Sequence, residues 1–153
     1  MKIAEETDWK ALPMPELNTT IPLGLLYHKK QLIMMRRGVI PREMEDKWFV
    51  YWKGGDLYFH RSWTGFCLYI VRFEVEDMGA KAVEAVVNRD PDQYRCTDDL
   101  YDAKMILYLI SVLLLRRPAK FPSKSKSRHR RALEQWGQVG RAGLGEHPDD
   151  EVN

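Results

Sequence analysis

A histidine, an arginine and a serine stand side by side at His60-Arg61-Ser62, and each is a residue type that does chemistry. An imidazole titrates near neutral pH and serves as acid or base, while a guanidinium offers a planar fork that matches a phosphate or carboxylate. Ser62 lies two residues from His60, so within a strand both point to one face and a Ser-His nucleophile pair is geometrically open. Its third member has to be an acid, and Asp90 is the candidate. Tyr58, Tyr69, Asn88 and Arg89 add hydroxyls, an amide and a second guanidinium. With Arg61 they suit an anionic, ring-bearing ligand such as a nucleotide or an ADP-ribose group. Catalysis is therefore assigned to His60 and Ser62, and ligand binding to Tyr58, Arg61, Tyr69, Asn88 and Arg89. Other chemistries lack their residues: the chain has no Gly-rich phosphate loop and no His-Glu-X-X-His helix. Cys67 and Cys96 are too few for a thiol zinc site or a disulfide framework, so neither metal nor cofactor is expected. A purely structural account stands beside each assignment. It makes His60 a tyrosine-paired histidine in a polar sheet, Arg61 an ion-pair partner of Glu45, Asp46 or a helix acid, and Trp63 a packing plug under a turn.

A sheet is needed to bring these residues together. Segments 47–52 and 57–62 are rich in aromatic and β-branched types and flank Gly54-Gly55, which supplies the positive φ of a two-residue hairpin turn. That loop pairs Lys53 with Asp56, Tyr51 with Tyr58, Phe49 with His60 and Trp48 with Arg61. Alternation then sets Trp48, Val50, Trp52, Leu57 and Phe59 on one, core-like face. Phe49, Tyr51, Tyr58, His60 and Ser62 take the other, whose mixture of rings and polar groups suits a ligand or an interface. Turns at Thr64-Gly65 and Met78-Gly79 would add two more strands and place His60 opposite Tyr69 and Tyr69 opposite Asn88. The resulting row, with Tyr58, Ser62 and Cys67 beside it, depends on register, and a slip of one residue in either turn breaks it.

The remaining elements support that sheet. Residues 1–22 read as an extended arm anchored by Trp9 and Leu12, and 23–37 are ambiguous between a short helix and a strand. Thr97 caps a helix that runs to Arg117, with Leu100, Ala103, Ile106, Leu107, Ile110, Leu113 and Leu114 as its buried stripe. This helix is expected to pack on the Trp48/Val50/Leu57/Phe59 face. From Pro118 the chain turns basic and then Gly-rich, so 118–153 is expected to be a disordered tail. The fold class is α+β: an antiparallel meander of about four strands with one long C-terminal helix on one face, occupying 23–117.

The chain has 153 residues, 44% of them hydrophobic and 30% charged, with a net charge of +2. That length suits one domain plus tails. The longest apolar run, MILYLISVLLL, is too short to cross a bilayer. The N-terminus has no apolar leader, and a reduced, cytoplasmic setting with no membrane is the expectation. DKWFVYW, LYFHRSWTG, CLYIVRFE and VVNRDPDQY together resemble a family of small bacterial proteins built around these segments, over roughly residues 40–116. Some of its members carry an ADP-ribosyl hydrolase label. The resemblance implies a recurrent site at His60-Arg61-Ser62 and, through that label, ADP-ribose-related hydrolysis. The expected partner is thus a small anionic or nucleotide-like ligand. The alternatives are a non-catalytic module that docks a protein or a second copy through its aromatic face or its 98–117 helix, and nucleic acid bound through the basic run 120–131.

Overall fold

The computed structural model describes residues 2–122, so most of the basic run and all of the Gly-rich segment lie outside the described residues, together with the expectations attached to them. The elements are β1 (Asn18–His28), α1 (Lys29–Arg37), β2 (Trp48–Lys53), β3 (Asp56–Arg61), β4 (Cys67–Glu76), β5 (Gly79–Asn88) and α2 (Asp99–Leu109), which widens into a π-helical segment at Ile110–Leu114. The strands make one antiparallel sheet in the order β1-β5-β4-β3-β2. The architecture is α+β, with five strands and two helices where four strands and one helix were expected.

The central hairpin forms as its turn chemistry requires. Gly54 and Gly55 both have positive φ, 61° and 88°, and the register pairs Lys53 with Asp56 through to Trp48 with Arg61. The fifth strand comes from residues divided between the arm and the ambiguous segment. Asn18–His28 lies along the free edge of β5, with Ile21 and Tyr27 buried and an irregularity between Pro22 and Leu25. An edge is where a strand tolerates proline, because no neighbour needs its missing N–H. Residues 18–22 thus belong to the sheet rather than to the arm. α1 follows at once: the His28 amide donates to Gln31 Oε1 (3.0 Å), and Leu32 and Met35 turn inward. It connects β1 at one edge of the sheet to β2 at the other and ends at Gly38, where a Cβ would meet the Val50 carbonyl oxygen at 2.2 Å.

Both helices share one layer. Leu32 and Met35 of α1, Met105, Ile106 and Leu109 of α2, and Trp48, Val50, Leu57 and Phe59 of the hairpin form a single core cluster, as expected for the helix and that sheet face. The α2 boundaries differ from expectation. Asp98, not Thr97, is the cap, its carboxylate accepting from the Tyr101 amide (3.0 Å). The helix stops short of Arg117, because the wider π turn consumes Ile110–Leu114 and Arg116 adopts φ 53°. Ile106, Ile110, Leu113 and Leu114 of the expected stripe are buried, but at its start Leu100 is 66% exposed and Asp102 is fully buried. Nor does the chain become a tail at Pro118, since Phe121 is 8% exposed and stacks edge-on against Tyr108.

The second face of the sheet has its own cover. Ala4 packs with Phe49 and Tyr51, and the arm is hydrogen-bonded along its length. The Ala4 amide donates to Arg37 O (2.8 Å), the Trp9 indole N–H to Ser62 O (2.8 Å) and the Leu12 amide to Gly65 O (2.9 Å). Trp9 and Leu12 thus anchor the arm, through these polar bonds more than through burial.

Candidate functional site

The expected row does not form, and two β-bulges are the reason. Phe59 pairs with Tyr69 but His60 pairs with Cys67, which leaves Leu68 as an extra residue on β4. Leu68 and Tyr69 are consecutive yet both lie in the helix-side core, while Cys67 stays on the other face beside His60. A second bulge inserts Val83 on β5 between the Arg72–Glu84 and Phe73–Ala82 pairs, and the register beyond it places Tyr69 opposite Val87 rather than Asn88. The Leu68 insertion therefore separates His60 from Tyr69 by the thickness of the sheet.

On the arm-covered face the side chains form an aromatic stack. Tyr58 lies over Tyr51 (4.9 Å between centroids, 9° between planes), Tyr51 over His60 (5.4 Å, 16°), and Phe49 flanks His60 at 6.0 Å. His60 is 2% exposed, and both ring nitrogens are engaged. Nδ1 is 2.9 Å from the Gly65 carbonyl oxygen and Nε2 is 3.3 Å from the Tyr51 hydroxyl. A carbonyl only accepts, so Nδ1 carries the proton; in the neutral ring Nε2 is then an acceptor, and Tyr51 O–H donates to it. Burial holds the imidazole below its usual pKa, opposed by the bond to Gly65, which keeps the ring neutral at physiological pH. Burial also pushes the Tyr51 phenol up, with Cys67, Glu6 and Tyr58 adding to it, so its proton stays in place.

Next to the stack is a cleft of about 480 Å³. Its floor is Tyr51, Tyr58, His60 and Cys67, and its wall is the arm, contributing Glu6, Thr7, Ala11, Leu12, Pro13 and Met14. Glu6 is the one lining side chain that carries a full charge, and its Oε1 accepts from Lys53 Nζ (2.7 Å) at the rim. Cys67 is an inert floor residue. Burial raises its thiol to about 12, and Sγ sits 3.8 Å from the Tyr69 carbonyl oxygen.

Of the residues assigned to catalysis or ligand binding from the sequence, His60 and Tyr58 meet at this cleft and the others do not. Ser62 Oγ donates to Asp46 O (2.6 Å), and with both His60 nitrogens occupied no Ser-His pair exists. Asp90, its expected third member, uses Oδ1 to accept from the Asp92 amide (2.9 Å) and thereby closes its own turn. Arg61 lies on the helix side, its guanidinium 4.9 Å above the Trp48 ring. Tyr69 is buried there too, 2.9 Å from the Tyr94 hydroxyl, which donates to Asp102 Oδ1. Arg89 completes that network: Nη2 reaches Asp102 Oδ2 (2.6 Å) and Asp99 Oδ1 (2.7 Å), tying the loop after β5 to the start of α2. Asn88 is a fully buried brace, donating to Cys67 O and Gln93 Oε1 (2.9 Å each) and accepting from the Asp90 amide. Trp63 is no plug. It is 58% exposed, its indole N–H donates to Met44 O (2.9 Å), and the Lys47 ammonium sits 4.2 Å over its ring.

Sequence reasoning missed the arm as one half of the site, because extended segments have no periodicity to read; the polar-aromatic face of the hairpin was the visible half. Among the described residues no cluster of His, Cys, Asp and Glu could hold a metal, and no helix is long and apolar enough to cross a membrane. Comparison with protein-family models, curated proteins and solved structures finds no match.

Proposed function

We propose that this domain is a small-molecule binding module whose site is the cleft between the Tyr58-Tyr51-His60 stack and the arm, and that it binds without turning over its ligand. The observation that carries this reading is the cleft itself. It has a rigid ring-lined floor, an apolar wall at Ala11, Leu12, Pro13 and Met14, and a few convergent polar groups, at a volume within the usual range for small ligands. Binding without reaction is favoured by the state of the would-be catalysts. The Ser62 hydroxyl is spent on Asp46, the Cys67 thiol is held protonated, and the His60 base is covered by Tyr51. The anionic, nucleotide-like ligand and the ADP-ribose-related hydrolysis expected from the sequence need Arg61 and Arg89 beside His60. With those cations committed to Trp48 and to Asp99 and Asp102, that reading keeps only the family resemblance for support.

The test is a fragment screen by amide NMR, with nucleotides, ADP-ribose and short oligonucleotides included. Hits are expected to move the Leu12, Met14, Tyr51 and His60 signals and to be lost in Met14→Trp, which fills the cleft from the exposed arm. Hits that survive Met14→Trp, or that move other residues, would overturn the assignment. Release of a hydrolysis product from an ADP-ribose conjugate would restore the enzymatic reading.

A second reading, a protein-docking surface, is favoured by the exposed apolar side chains at the β3–β4 turn. Trp9, Leu12, Met44 and Trp63 are all exposed there, and both indole N–H groups are already satisfied internally. Exposed indoles pinned by an edge hydrogen bond are the kind of anchor that interfaces use.

A further inference from the structure

Resting on the binding reading above, the geometry points to a specific ligand class: we infer that the cleft takes a primary amine in its ammonium form with an apolar or aromatic body, held by Tyr51 Oη and Glu6 Oε2. Hydrogen-bond direction sets the polarity of the cleft. Gly65 O fixes the His60 proton on Nδ1, Nε2 must then accept, and the Tyr51 hydroxyl proton is drawn toward it. What Tyr51 has left for the cleft is a lone pair. Glu6 uses Oε1 for Lys53, and Oε2 remains, again an acceptor. The Cys67 S–H points to the Tyr69 carbonyl, so its sulfur faces the cleft as a weak acceptor at most. The groups whose roles the structure fixes therefore all accept. A ligand that brings donors is matched, and one that brings only acceptors, such as a carboxylate or phosphate, leaves these groups unpaired.

The chain already shows the chemistry at the rim, where the Lys53 ammonium sits on Glu6 at 2.7 Å. Lys53 also makes the Glu6 pair formally neutral, so net charge is not what selects the ligand. Donor count and an apolar body against Leu12, Pro13 and Met14 are what select it. A ligand ammonium would compete with Lys53 for Glu6, and removal of Lys53 should therefore tighten binding.

The experiment uses the full chain and three ligands with the same ring and different heads: tryptamine, tryptophol and indole-3-acetate. Amide and His60 imidazole signals are followed by NMR. Tryptamine is expected to bind about tenfold more tightly than tryptophol, as a charge-assisted hydrogen bond warrants, with indole-3-acetate weakest. Tyr51→Phe keeps the stacked ring and removes the acceptor, so it should weaken tryptamine more than tryptophol and thereby erase most of the tryptamine advantage. Lys53→Met should strengthen tryptamine alone. Equal binding of tryptamine and tryptophol at the cleft overturns the amine assignment but leaves the binding module standing, as does a preference for indole-3-acetate. If none of the three moves the Tyr51 and His60 signals, the amine assignment fails, and a fragment screen without cleft hits would then show that the binding reading has failed with it.

Discussion

At the scale of single residues, two buried polar groups have opposite fates. His60 has a partner for each nitrogen, and burial makes its protonated form unfavourable. Its folded pKa lies below the unfolded value of about 6.5, so in the window beneath that value the unfolded chain binds more protons and stability falls as pH falls. Above the window the contribution is complete. The stability difference between wild type and His60→Phe should therefore shrink as pH drops below about 6.5, measured by urea unfolding across the pH series; a constant difference would mean that the imidazole is not desolvated. Tyr27 is the reverse case. Its hydroxyl is buried with no hydrogen-bond partner, and burial raises its pKa to about 12. Tyr27→Phe removes an unpaired polar atom and keeps the ring against Phe73, so it should raise stability by about 1 kcal/mol in the same assay. Neither fate could be read from the sequence. His60 was visible as a chemically capable residue, but which atoms it meets depends on Gly65 and Tyr51, and the paired state of Asp102 depends on Arg89 and Tyr94 arriving from another loop.

Elements were legible where a local signal sets them. Gly54-Gly55 determines a hairpin and its register without help from the rest of the chain, and the apolar density after Asp98 determines a helix packed on the correct face. Bulges have no such signal. Leu68 sits in an ordinary strand-like run, and the decision to insert it is made by packing, because Leu68 and Tyr69 both gain burial in the helix-side core. That residue and a second insertion, Val83 on β5, are why the row of His60, Tyr69 and Asn88 was not recoverable from alternation. The β1 edge was obscured for a related reason: Pro22 and Gly24 interrupt the pattern of a strand that is irregular at that very point. The close of α1 is testable at this scale. Gly38 has φ 66° with the Val50 carbonyl oxygen pressed against it, so Gly38→Ala meets both backbone strain and a clash and should cost more than about 1 kcal/mol, read as a lowered unfolding midpoint with an unchanged slope.

On the scale of the whole molecule, the sheet is covered on both sides by unequal means: helices and a large core on one, an extended strap on the other. The C-terminal boundary follows from the first cover. Phe121 is buried against Tyr108, so a chain ending at Arg117 should be less stable than one ending at Pro122 by about 2 kcal/mol, the value of burying one large apolar side chain. Equal melting temperatures for the two truncations would detach Phe121 from the fold. The strap has a different consequence, for how such a site changes over generations. Its grip on the sheet comes mainly from main-chain amides at Ala4 and Leu12, the Trp9 indole, the Ala4 and Ala11 side chains and the Glu6–Lys53 pair, whereas Thr7 and Met14 line the cleft without any of these contacts. At those two positions recognition is thereby written in letters that attachment does not use. Substitutions at Thr7 and Met14 could retune what the cleft accepts without disturbing the barrier to unfolding, so a library randomised there should stay folded while its ligand preferences diverge.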